Sequence, residues 1–220
     1  MEEQRISERN GTCLRKSDDG LTLTEGTLEI TGDFTRLLPR LKPNNLNGEL
    51  LVRAARIRGK TNPVAVDATA GMGEDSFLLA AAGFEVTLFE YDPVIASLLE
   101  DALERAGKHP ELAAAARRMK LFREDSINAL PRLGFIPDVV VLDPMFPERS
   151  KNAAVKKKFQ LIHLLEQPCE REEELLAAAL STGAHKIVIK RPLKGPCLGG
   201  KKPSYSLNGK AIRYDVILQV

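Results

Sequence analysis

The chain lacks the features that mark several large protein classes. None of its 220 residues lies in an apolar run long enough to cross a bilayer, and the opening Met1-Glu2-Glu3-Gln4-Arg5 carries no signal-peptide pattern. Cys13, Cys169 and Cys197 are odd in number and form no C-x-x-C pair, so a reduced, cytoplasmic setting is the simplest expectation. His109, His163 and His185 are scattered, with no H-x-x-x-H spacing and no Cys/His cluster, and no metal is expected. Repeats and low-complexity segments are also missing.

What is present fits an ordinary globular protein, with 43% hydrophobic and 28% charged residues. The length suits one domain with a small extension. The net charge of +2 conceals an asymmetry: residues 151–220 hold 13 Lys+Arg against 6 Asp+Glu, and the remaining 150 hold 19 against 24. A basic half opposite an acidic half suggests a polyanionic partner for one face, the competing reading being a solvated lysine-rich surface.

Residues 1–20 are polar and predict loose order. Leu21-Thr22-Leu23-Thr24 and Leu28-Glu29-Ile30, around Glu25-Gly26, alternate as a β-hairpin does. Lys42-Pro43-Asn44-Asn45 reads as a turn and Gly48 to Ile57 as a helix with one apolar face. The breakers at Gly59 to Pro63 place a boundary between an N-terminal extension with its linking helix, 1–58, and a main domain, 59–220. From Val64 strands and helices alternate. Strands are expected at 64–66, 86–89, 119–122, 139–142 and 186–190. Helices are expected at 75–82, from Asp92-Pro93 to about Ala106 with Gly107 as the stop, at 111–118, at 153–165 and at 170–180. This is an α/β pattern with a mainly parallel sheet. Asn208-Gly209 then closes a C-terminal antiparallel hairpin, Tyr205–Leu207 with Ala211–Leu218.

Two stretches carry the chemistry. Val139-Val140-Val141-Leu142 reads as a strand buried on both faces, and it ends in Asp143-Pro144-Met145-Phe146-Pro147. A carboxylate at the carboxyl end of such a strand lies where open α/β sheets bind ligands. The prolines stiffen the loop and remove donors, and Phe146 offers a flat face, so the corner suits a planar base bearing an amino group. A plain strand-to-helix turn with a capping Asp and a buried Phe fits the same residues.

The second stretch is Asp67-Ala68-Thr69-Ala70-Gly71-Met72-Gly73-Glu74-Asp75, joining the first parallel strand to its helix. Gly71 and Gly73 permit a tight turn and close approach of a ligand. Glu90 ends the next strand near the spacing of a ribose-binding acid. Glu74 and Asp75 stand where a dinucleotide fold needs an uncluttered helix start, and would repel a diphosphate. With Asp67 they would attract the ammonium and sulfonium of S-adenosyl-L-methionine, which favours methyl transfer over hydride transfer. Their alternative role is to stabilise the helix dipole. Asp125-Ser126 ends the third strand; Asp125 can accept from an adenine amine, cap a following helix, or do both.

These motifs, with Val155-Lys156-Lys157 and Val188-Ile189-Lys190-Arg191-Pro192, resemble those of the small-subunit (16S) ribosomal RNA guanine-N2 methyltransferases. The resemblance covers most of the chain from about Asn45 onward, and Asp-Pro-Met-Phe-Pro is its specific signature. It implies a class I, Rossmann-like methyltransferase fold, S-adenosyl-L-methionine as cofactor, and ribosomal RNA or the small ribosomal subunit as partner, with no membrane and no metal. By position it implies cofactor contacts at Glu74, Asp75, Glu90, Tyr91, Asp125, Ser126 and Asp143.

On this reading Asp143 and a Pro144-region carbonyl orient the guanine amine and Phe146 stacks on the base. Lys156, Lys157, Lys190, Arg191, Lys201 and Lys202 are the candidates for phosphate contacts. A methyltransferase acting on DNA or on a protein side-chain amide, and a non-catalytic nucleotide-binding module, are the competing classes.

Overall fold

The computed structural model describes residues 4–9, 12–17, 19–144 and 171–219. Phe146, Lys156, Lys157, His163, Cys169 and the helix expected over 153–165 lie outside the described residues.

The described residues build two sheets. The larger has seven strands in the order β10-β11-β9-β8-β5-β6-β7. They are β5 (Val64–Asp67), β6 (Glu85–Phe89), β7 (Met119–Phe122), β8 (Val139–Leu142), β9 (Lys186–Pro192), β10 (Tyr205–Asn208) and β11 (Ile212–Leu218). β5 through β9 pair in parallel, whereas β11 runs antiparallel to both β9 and β10. From β5 the chain order proceeds outward to β6 and β7 on one side and, from β8, to β9 on the other. The strand order therefore reverses between β5 and β8, and a ligand crevice opens at such a switch point beyond the carboxyl strand ends. Asp67 and Asp143 stand at or just past those two ends.

All four residues of β8 are buried, as their unbroken apolar run requires. One layer packs α3 (Leu50–Ala55) and α4 (Glu74–Ala81) on the face presenting Ala65, Val139, Val141, Val188, Tyr214 and Val216. The other face presents Val66, Val140, Leu142, Ile187 and Ile189 to α8 (Glu172–Ser181). Phe34, Leu37, Leu51 and Ala55, all ahead of residue 59, belong to the first of these cores, with Phe34 stacked on Phe77 at 4.3 Å.

The smaller sheet is a four-stranded antiparallel meander, β1 (Gln4–Arg9), β2 (Thr12–Ser17), β3 (Gly20–Glu25) and β4 (Leu28–Thr31). The loose order expected for residues 1–20 is thus corrected: two of its segments are paired strands. Leu14, Leu21, Leu23 and Ile30 cover Val94, Ile95 and Leu98 of α5 (Pro93–Lys108). Polar contacts fix the docking. Asp101 accepts from the Leu21 N–H at 3.0 Å and pairs with Arg105, whose guanidinium also donates to the Gly32 carbonyl. Gly32 is needed here, because a Cβ would lie 2.7 Å from that of Ala102.

Three helix expectations change. Pro43 opens a helix, α2 (Pro43–Gly48), rather than a turn, since proline suits a first helical position. The helix expected over 48–57 breaks at Glu49, whose ψ of 128° separates α2 from α3. α5 continues through Gly107 to Lys108, its start set as expected by Asp92, which accepts from the Val94 and Ile95 N–H groups at 2.8 and 3.1 Å.

Candidate cofactor and acceptor site

The β5–α4 turn is held from beneath by two buried carboxylates. Asp67, 3% exposed, accepts from the Thr69 N–H at 3.0 Å and the Ser76 hydroxyl at 2.6 Å. Burial pushes its carboxyl up to about 6, the two hydrogen bonds opposing the shift. Both of its oxygens therefore serve the turn, and its action on a ligand runs through the backbone it positions. Glu90, 5% exposed, accepts from the Gly71 N–H at 2.9 Å through one oxygen and from the Asp92 N–H at 2.8 Å through the other. Burial raises it to about 6 as well, against those same hydrogen bonds. A carboxylate offers about four acceptor positions, so these two bonds leave capacity for hydroxyl donors.

The two glycines differ in what they do. Both have positive φ, 51° at Gly71 and 75° at Gly73. Gly73 starts α4, and a Cβ there would lie 2.6 Å from Leu99 Cδ1. Packing against α5, rather than ligand approach, accounts for that glycine. Glu74 and Asp75 fill the first turn of α4, where negative charge is favoured.

Across the switch point, the Asp143 N–H donates to Thr69 Oγ1 at 2.7 Å, which ties the end of β8 to the β5–α4 turn. Lys190 of β9 donates to Asp143 Oδ2 at 2.8 Å and to Asp75 Oδ2 at 2.9 Å. Burial disfavours its charge, but the two carboxylates outweigh burial and hold the ammonium above its ordinary value. Pro144 is buried. Tyr214, opposite Lys190 on β11, is 4% exposed, and burial with the nearby Asp75 pushes its hydroxyl up. Arg40 sits behind the cluster in a bidentate pair with Glu49, at 2.7 and 2.9 Å.

Hydrogen bonds through Thr69 and Lys190 tie Asp67, Asp75 and Asp143 together, Glu90 braces Gly71 of the same turn, and Gly73 and Glu74 lead from that turn into α4. Tyr91 follows Glu90 and is 61% exposed. Asp125 caps α7 (Ser126–Ala129) through the Ile127 N–H at 2.9 Å, while its second oxygen accepts from Arg171 at 3.1 Å; Ser126 is buried. Two expected phosphate contacts are corrected. Lys190 is committed to Asp75 and Asp143, and Arg191 is 1% exposed, donating to the Pro196 carbonyl at 2.8 Å and to Glu172 at 3.2 Å. Lys201 and Lys202 are exposed. Sequence reasoning missed Thr69 and Tyr214 as site residues. The period-two alternation of β9 could have separated Lys190 from Arg191, since neighbours on a strand face opposite ways.

The donor set suits S-adenosyl-L-methionine. Acids border a glycine turn where the cationic groups of that cofactor would lie, and Glu90 retains acceptor capacity at the end of β6 for ribose hydroxyls. No group of three or more His, Cys, Asp or Glu side chains among the described residues is arranged to hold a metal. No helix there is long and apolar enough to cross a membrane.

A parallel sheet ending in an antiparallel pair, with this acidic crevice at its switch point, defines the class I methyltransferase fold. An rRNA methyltransferase from Streptomyces viridochromogenes shares it at 19% identity, with a TM-score of 0.53 over 80% of this chain and 85% of that one. Residues 5–219 match the family described as "Putative SAM-dependent methyltransferase", and the chain belongs to that family, whose cofactor is S-adenosylmethionine. A solved SAM-dependent methyltransferase from Neisseria gonorrhoeae is 33% identical, with a TM-score of 0.79 over 97% of this chain and 86% of its own. Ribosomal RNA small subunit methyltransferase J of Pseudomonas aeruginosa strain UCBPP-PA14 is 46% identical over 171 residues, 77% of this chain. The matched segment spans 66% of that relative's length, just under two thirds. The enzyme of the same name from Ectopseudomonas mendocina is 44% identical over 211 residues, covering 93% of this chain and 81% of that one.

Proposed function

We propose that the protein methylates the exocyclic N2 amine of a guanine in small-subunit ribosomal RNA, working in the cytoplasm on the RNA or on the subunit that contains it. The observation that carries this reading is the junction at Asp143. Its backbone is tied to the cofactor turn through Thr69, and its side chain, paired with Lys190, is 38% exposed. The names of the relatives support RNA as the substrate class, and the resemblance of Asp143 to Pro147 to the guanine-N2 signature supports the base.

Bound S-adenosyl-L-methionine supplies an electrophilic methyl group on a sulfonium centre. Glu90 would hold its ribose hydroxyls, and Asp75 and Asp143 would border its charged end. The lone pair of a guanine amine is delocalised into the ring, so the enzyme's task is chiefly orientation. Asp143 and the Pro144 carbonyl accept the two N–H bonds and turn the lone pair toward the methyl carbon, in near-attack geometry. The amine's surplus proton leaves to water or to Asp143. Exposed Lys201 and Lys202 would neutralise phosphates and set the RNA's register.

Tritium transfer from labelled cofactor into separated rRNA, DNA and protein fractions tests the substrate class. Label confined to small-subunit rRNA is expected, with mass spectrometry placing the methyl on guanine N2. Label in DNA or protein would replace this reading with one of the competing methyltransferase classes.

A further inference from the structure

We propose that Lys190 is a positioning residue. Its ammonium bridges Asp75 on α4 and Asp143 beyond β8, fixing the acceptor carboxylate against the cofactor-binding helix and setting the charge that both ends of the site experience. The inference rests on the reading of Asp143 given above.

The geometry gives it three supports. The two contacts, 2.9 Å to Asp75 and 2.8 Å to Asp143, come from separate elements, so one ammonium links the donor side of the crevice to the acceptor side. The lysine stem rises from β9, where it stands opposite buried Tyr214, leaving the side chain 27% exposed. Arg40, the neighbouring cation that acts on Asp75, is already engaged by Glu49. Stability alone is a poor reason for such an arrangement, because desolvating an ion pair cancels much of its attraction. A bridge that orients a carboxylate matters far more, since small displacements from near-attack geometry cost large factors in rate.

The charge follows from the same contacts. Asp75 and Asp143 with Lys190 sum to one negative charge, and without it to two. Asp67 of β5 senses both acids, and among the described residues Tyr214 and Arg40 also face the cluster, Arg40 with Glu49 and Glu74 beside it. Lys190 therefore limits how strongly the site prefers a cationic sulfonium, as in S-adenosylmethionine, over the neutral thioether of S-adenosylhomocysteine.

The test uses Lys190→Met and Lys190→Arg in the full chain. Calorimetry would give the affinity ratio of S-adenosylmethionine to S-adenosylhomocysteine, and single-turnover methylation of small-subunit rRNA would be followed across pH. In Lys190→Met the ratio should rise about fivefold or more through the lost positive charge. The methylation rate at saturating cofactor should fall about tenfold or more. The acid limb of the rate profile should move to higher pH, because two carboxylates would then share a site without their cation. Lys190→Arg should keep the wild-type ratio and most of the rate. An unchanged ratio in Lys190→Met overturns the proposal, and so does a rate loss that comes with a lower melting temperature but an unmoved acid limb. If wild type transfers no methyl group to RNA, the function proposed above fails, while the affinity ratio still decides the role of Lys190. Should Lys190→Met not fold, the same ratio is read on Lys190→Gln.

Discussion

Glu90 and Asp143 are acids just past the ends of β6 and β8, the two strands that flank β5 in one sheet, and the protein treats them in opposite ways. Glu90 is buried and, among the described residues, receives backbone N–H groups alone, from Gly71 and Asp92. Asp143 is 38% exposed at the side chain and receives an ammonium. Backbone donors cannot move without moving the chain, so Glu90 is fixed in place but carries the desolvation of its own charge, which raises it to about 6. A lysine neutralises its partner and can yield as charge shifts nearby. The first arrangement suits a static hydroxyl ligand, the second a reacting amine.

The largest effect should come from Asp143→Asn. The shape persists, but one acceptor becomes a donor set against either the substrate amine or Lys190. Turnover should fall on the order of 10²-fold or more. RNA binding should hardly change, because phosphates supply most of that affinity. Single-turnover methylation, filter binding and thermal melting read together would check this. Near-normal turnover would remove Asp143 from the chemistry, and a collapsed melting temperature would make it structural.

Breaking the other side of the comparison calls for Glu90→Ala. If ribose hydroxyls use its remaining acceptor positions, cofactor affinity should weaken by roughly 1.5–3 kcal/mol, as for a charge-assisted hydrogen bond. Turnover at saturating cofactor should suffer much less than in Asp143→Asn. Calorimetry on a variant shown to be folded decides it; unchanged affinity would confine Glu90 to bracing the Gly71 turn.

Asp67 extends the contrast to a carboxylate whose partners are all internal. Its folded value, about 6, lies above the usual 3.8, so the folded state binds the proton more tightly than the unfolded chain. The stability linked to that proton is fully present below pH about 4 and is lost as pH rises through about 6. The loss is on the order of 1–3 kcal/mol, to which Glu90 adds in the same direction. Asp67→Asn should flatten the fall in melting temperature between pH 4 and 7. The amide oxygen can still accept from Thr69, and the Ser76 hydroxyl can rotate to accept from the amide nitrogen. A wild-type melting profile that rises over this range would show that other groups dominate.

How much of this was legible depended on whether local pattern and tertiary burial agreed. The run Val139–Leu142, the Asp92-Pro93 start of α5 and the Asn208-Gly209 turn state their structures locally, and each was readable. β1 and β2 were not, because a meander that covers only one side of α5 needs few apolar residues; Thr12, Cys13 and Leu14 are the buried residues of a polar β2. Gly107 looked like a stop but continues the helix, where helix propensity yields to the neighbouring turns. The acids around the cofactor turn were visible as residue types, but their partners were not. Thr69 lies 74 positions from Asp143 and Lys190 lies 47 from it, and only the sheet brings them together. Lys190 and Arg191 looked alike in a basic stretch. The strand sends one to the acidic crevice and buries the other beside Glu172 on the opposite face.

The smallest effect separates charges that burial protects from charges that salt can reach. Lys201 and Lys202 are exposed, so their attraction for phosphate should be screened within about a Debye length, unlike the hydrogen bonds of Glu90 or the Lys190 bridge. Replacing both with Ala should flatten the plot of log K for RNA against log salt by about 1.4, twice the roughly 0.7 expected per neutralised phosphate on a single strand. Cofactor affinity should stay at the wild-type value at every salt concentration, because neither lysine contacts the crevice acids. Filter binding from low to moderate salt, with calorimetry of the cofactor in the same buffers, measures both quantities. An unaltered slope would take the two lysines out of the RNA interface and leave the positive charge of residues 151–220 to be explained by other residues. A change in cofactor affinity would mean that the surface and the crevice are coupled, and the contrast between screened and protected charge would fail for this pair.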